Sequence, residues 1–153
     1  MTREAPFTLA ALAALALPAF AGDGLPVNHD VTEANIGETI CRPSWTQMFP
    51  AYGSTIRTIK AEMLAAIGEP LEHLNRWTID HRIPLVLAGH PVERRNLALQ
   101  PIAESRAKDE IEACLLSRVY QGQLSLKAAQ QAIWQDWRQA GELCTEHARV
   151  ARR

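Results

Sequence analysis

Ile79-Asp80-His81-Arg82-Ile83-Pro84-Leu85, followed across a Gly89-His90-Pro91 turn by Arg95-Asn96-Leu97, decides how this chain is read. Trp77-Thr78-Ile79 is β-branched and aromatic, so it predicts a short strand ending at Asp80-His81. Pro84 and Pro91 forbid a regular ladder in the loop beyond His81, and Gly89 permits the turn. The return strand is therefore expected to begin near Asn96 and to cover 97–100. Such a hairpin is wide and irregular, and it gathers an acid, an imidazole and an amide in one place.

The periodicity on either side of the hairpin is helical. Ile56, Ile59, Met63, Leu64 and Ile67 recur at three- and four-residue steps, with Ser54 as a cap and Gly68 as a stop. Ala107, Ile111, Leu115 and Val119 mark one side of a helix over 104–119 that Gly122 ends. Ser125 should cap a last helix whose inward residues are Leu126, Ala129, Ile133 and Trp137, running on to Gly141. The segment from Gly22 to about Pro50 is polar and turn-rich. It is expected to wrap the core as an arm with one short helical turn, anchored by Val31, Ile36, Ile40 and Trp45. The expected fold class is α+β, mainly α: an irregular β-hairpin plus a helix, with flanking helices.

Composition and targeting bound the function. Arg3, an apolar run from Phe7 to Leu17, Pro18 and Ala19-Phe20-Ala21 before Gly22 read as a signal peptide over 1–21, which places the protein in the periplasm or outside the cell. A membrane-spanning helix would need roughly 20 apolar residues, and this run is shorter. Residues 22–153 then form a single domain, enough to bury about two-thirds of the unfolded chain's surface. A net charge of -1 counts against tight, nonspecific nucleic-acid binding. Locally, however, Arg76, Arg82, Arg94, Arg95, Arg106 and Lys108 surround the hairpin.

The chain has 3 cysteines, Cys41, Cys114 and Cys144, which permits one bridge and one free thiol. Cys114 and Cys144 are expected on successive antiparallel helices. If the second helix ran on, they would stand about twenty residues of helix length out of register. Cys41–Cys114 is thus the expected bridge. No Cys-x-x-Cys or paired-His spacing suggests a zinc cluster.

Phosphodiester cleavage needs an activated water, neutralisation of charge on the phosphoryl oxygens and a stabilised leaving oxygen. Asp80 is a hard oxygen ligand for a divalent cation, and neutral His81 can take a proton near pH 7. Adjacent strand residues point to opposite faces, which lets the two do separate jobs. Asn96 donates and accepts at once, as a loop-bracing amide must. His90 is expected at the loop surface. Trp45, Trp77, Trp134 and Trp137 are expected as core or rim aromatics, since base stacking would need exposure.

With these residues the chain resembles the HNH endonuclease superfamily, the ββα-metal nucleases, and within it the small exported bacterial proteins. The resemblance is carried by Val31-Thr32-Glu33-Ala34-Asn35-Ile36 with Thr39-Ile40-Cys41, by the hairpin stretch, by Gln100-Pro101, by Lys108-Asp109 with Glu112, and by Leu126 to Trp137. It implies a ββα-metal core and a hydrolase with His81 as general base and Asn96 organising its loop. It further implies one divalent metal ion held by Asp80 and a group opening the next helix, where Glu104 stands. Two carboxylates favour Mg2+ or Mn2+ over zinc. The implied partner is nucleic acid, DNA rather than RNA, with Arg94, Arg95 and Lys108 as candidate phosphate contacts. The rival expectation is an inactive binding or structural protein on the same scaffold. Departures from the family's pattern are Val86 where relatives often carry Glu, Ala88-Gly89 for Gly-Gly, Ser44-Trp45 for Gly-Trp, Phe49-Pro50 for Arg-Pro, and Tyr120 for Cys.

Overall fold

The computed structural model describes residues 24–49 and 53–145; the expected signal segment lies outside them. Two strands, β1 (Trp77–His81) and β2 (Leu97–Pro101), pair antiparallel with Asp80 opposite Ala98 and His81 opposite Leu97. Helices α1 (Gly53–Ala66), α2 (Ile102–Tyr120), α3 (Leu126–Gln135) and α4 (Trp137–Ala140) accompany them. The architecture is α+β and mainly α. Among the described residues no helix is long and apolar enough to cross a membrane.

Helix α1 packs its Ile56, Ile59, Met63 and Leu64 side against the hairpin, and Leu64 is fully buried. Gly68 reverses the chain just beyond it with φ +70°, a conformation that costs a glycine little. Ile67 falls past the helix end and is exposed, contrary to expectation.

The inward face of α2 differs from the expected one at its N-terminal half. Leu115 and Val119 are buried, but the next inward position back is Lys108, while Ala107 is exposed. Steps of four from Val119 slip by about 0.4 residue per turn against the helix period of 3.6. Over three turns that moves the buried stripe by one residue, from 107 to 108.

Ser125 caps α3 as expected, its Oγ accepting from the Ala128 amide at 3.1 Å. The helix then stops short. Asp136 is extended (φ −160°, ψ 111°), and its Oδ1 accepts from the Arg138 amide at 2.8 Å to start α4 as a separate turn. That break corrects the disulfide. Because the second helix does not run on, the chain folds back and bonds Cys144 to Cys114, with Cα atoms 6.2 Å apart, and Cys41 is left a free, half-buried thiol.

The N-terminal arm closes the core with two short 3-10 turns, Ile36–Glu38 and Trp45–Met48. Val31, Ile40 and Trp45 are buried in one cluster with Ile83, Leu87 and Leu115. Trp45 also donates its indole N–H to the Leu85 carbonyl at 3.1 Å, which pins the arm to the hairpin loop. Fully burying a side chain such as Leu87 or Leu115 contributes about 1.5–3 kcal/mol.

Candidate functional site

The loop joining β1 to β2 is organised around Asn96, which has no exposed surface. Its Oδ1 accepts from the Ile83 amide at 2.8 Å, and its Nδ2 donates to the carbonyls of Ile83 and His90, each at 2.9 Å. One amide thus satisfies three backbone groups that the irregular loop would otherwise bury unpaired. Gly89 is required at this point, because a Cβ there would collide with the Ile83 carbonyl and lie 2.8 Å from Asn96 Nδ2. Its neighbour Ala88, which stands where the family pattern has glycine, takes the left-handed conformation with φ 60°. His90 is half-buried rather than surface: its Nδ1 accepts from the Glu93 amide at 3.0 Å and shapes the return.

This bracing positions His81. Its Nε2 lies 2.9 Å from the Pro91 carbonyl oxygen, which can only accept, so Nε2 carries the proton and Nδ1 keeps its lone pair. Burial pushes the imidazole below its ordinary pKa, opposed by the Pro91 hydrogen bond and the Asp80 charge. The ring is therefore neutral at pH 7. It lines a cavity of about 230 Å³ together with Thr46, Asp80, Val86, Asp109 and Glu112.

Asp80 stands between that cavity and a second cleft of about 340 Å³. Lys108 reaches it from α2. Its ammonium lies 3.0 Å and 2.9 Å from the two Asp80 carboxylate oxygens, 2.6 Å from Glu112 Oε1 and 2.9 Å from the His81 carbonyl. With 2% exposure, Lys108 is a buried cation whose donors are all used. Burial pushes Asp80 and Glu112 above the usual carboxylate range, and Lys108 pulls both back. Lys108 is thus no phosphate contact, contrary to expectation: the helix register that carries it inward also removes it from solvent.

Glu104 lines the second cleft, as does Asp80, but its Oε2 takes a hydrogen bond from Arg138 at 2.6 Å. Each expected metal ligand is therefore already matched to a cation. Among the described residues no group of three or more His, Cys, Asp or Glu side chains is gathered where it could hold a metal ion. As these side chains stand, they do not fit a resident divalent ion. Arg94 and Arg95 are exposed and line neither cavity; Arg95 pairs with Glu93 at 2.6 Å.

Four side chains of the second cleft were given no site role by the sequence. The Arg82 guanidinium lies 3.6 Å from the centre of the Trp134 ring, and that of Arg138 lies 4.3 Å from the centre of the Trp137 ring. Both pairs line the cleft. The adjacency of Trp137 and Arg138 was a usable signal, whereas Arg82 and Trp134 are brought together only by the fold. Comparison with protein-family models, with curated proteins and with solved structures finds no match for this chain.

Proposed function

We propose that this chain is an exported endonuclease of the HNH type that hydrolyses phosphodiester bonds in nucleic acid, DNA rather than RNA, with His81 as general base. The observation that carries the reading is the His81–Pro91 hydrogen bond. It fixes the tautomer whose free Nδ1 can take a proton from water, in a ring held neutral by burial. The water oxygen attacks phosphorus, its proton passes to Nδ1, and the P–O bond to the departing oxygen breaks. Asn96 acts through the loop and so positions the base.

A second reading, a nucleic-acid-binding protein that does not hydrolyse, is favoured by one observation. Lys108 and Arg138 already neutralise the two carboxylates that the family reading assigns to a Mg2+ or Mn2+ ion. The deciding experiment is plasmid nicking by the purified exported protein in Mg2+, Mn2+ and EDTA. Cleavage that falls about 10²–10⁴-fold in His81→Ala supports the enzyme. Equal cleavage in His81→Ala eliminates it, and DNA binding with no cleavage in any buffer supports the second reading.

A further inference from the structure

The cleft beside the base has a composition unlike a phosphate track. Its charged lining residues are Arg82, Lys108 and Arg138 against Asp80, Glu104 and Asp136, equal numbers of each sign. Such a surface draws no net attraction from a duplex backbone, where affinity comes from surplus cations and counterion release. What it offers are two guanidinium–indole stacks and two amides, Gln100 and Gln135. Gln100 lines the cleft with 7% exposure, and its side chain makes no hydrogen bond to any described residue. The amide is not sealed from solvent, so its unused donors and acceptor are open to pair with the polar edge of a ligand in the cleft. At about 340 Å³ the cleft falls in the size range of small-ligand sites.

We propose that this cleft binds an unpaired base of single-stranded nucleic acid, stacking its face on the Arg82–Trp134 pair and reading its edge with Gln100. A base in a duplex has both faces covered by its neighbours, so only an unstacked one can enter. The class of ligand rests on the nuclease reading, while the geometry does not. Balanced charge adds a second consequence: binding is governed by stacking and hydrogen bonding, and depends weakly on salt.

The test is fluorescence anisotropy with fluorescein-labelled dT12, alone and annealed to dA12, in EDTA so that cleavage plays no part. The single strand should bind at least about tenfold more tightly than the duplex. Its affinity should fall by less than about tenfold between 50 and 200 mM salt, against the roughly 10³–10⁵-fold of a protein holding many phosphates. Arg82→Ala, which alters an exposed side chain, and Trp134→Leu should each weaken dT12 by about five- to 150-fold, and Gln100→Leu should do so with circular dichroism unchanged. Equal or tighter duplex binding, unchanged affinity in Arg82→Ala, or no dT12 binding overturns the proposal. Selective dT12 binding without any nicking would leave it standing while the nuclease reading fell. Nicking with duplex preference would do the reverse.

Discussion

The Lys108 ammonium sits 2.9 Å and 3.0 Å from the two carboxylate oxygens of Asp80, inside the protein, and joins the end of β1 to the first turns of α2. It also holds Glu112 and the His81 carbonyl, so one cation sets the depth of the residue bearing the base.

Removing that cation should leave two half-buried carboxylates facing each other. Lys108→Met is expected to lose about 3–5 kcal/mol in urea unfolding, since breaking a buried ion pair strands the remaining charge. Mn2+ should then raise the melting temperature of the variant more than that of the parent, because the freed oxygens become hard-ion ligands. An equal Mn2+ response in both proteins would show that Lys108 does not compete with a cation for Asp80.

Asn96→Asp should be more damaging than its size suggests. The substitution keeps the acceptor for the Ile83 amide but turns an oxygen toward the Ile83 and His90 carbonyls, which now receive Nδ2. Each buried group left unpaired costs about 1–3 kcal/mol, so a total loss above about 3 kcal/mol is expected. A loss below about 1 kcal/mol in chemical denaturation would mean that the loop rearranges without it.

The pH dependence of His81 has a definite sign. Its folded pKa lies below its ordinary value of 6.5, so as the pH falls through 6.5 the unfolded chain binds the proton first. Its contribution to stability is present above 6.5 and is lost as the pH falls toward the folded value. Asp80 and Glu112, raised in the folded state, act oppositely: their contribution is present below their ordinary values and is lost as the pH rises through the folded ones. Comparing the parent with His81→Gln between pH 7.5 and 5.5 cancels the carboxylates to first order. The parent should lose more stability than the variant over that interval. The acid limb of kcat/KM for nicking should lie below pH 6.5, where the imidazole becomes protonated.

The Cys114–Cys144 bond closes a loop with a sequence separation of 30 residues, so reduction or Cys144→Ser is expected to cost about 2–4 kcal/mol. Cys41→Ser should leave the melting temperature nearly unchanged. Alkylation of the native chain followed by peptide mapping checks the pairing: the label should fall on Cys41, and label on Cys144 or Cys114 would refute it. Burial pushes the Cys41 thiol up in pKa, so it should label slowly at pH 7.

Local chemistry carried much of this protein in its sequence. The β-branched run ending at Asp80-His81, the Pro84 and Pro91 interruption, the Ser125 cap and the stops at Gly68 and Gly122 are short-range effects, and each element appears where those residues require it. Asn96 was legible for the same reason, because an irregular loop needs a group that both donates and accepts. What the sequence did not contain was distance between remote residues. The inward turn of Lys108 comes from the accumulated phase of α2, and the Cys114–Cys144 pairing from the break that Asp136 makes in the last helix. The meeting of Arg82 with Trp134, 52 positions apart, depends on how α3 lies across the hairpin. Turns, caps and strand ends answer to their own few neighbours, whereas charge pairing, cross-linking and cleft lining answer to packing, which exists only once the whole chain is folded.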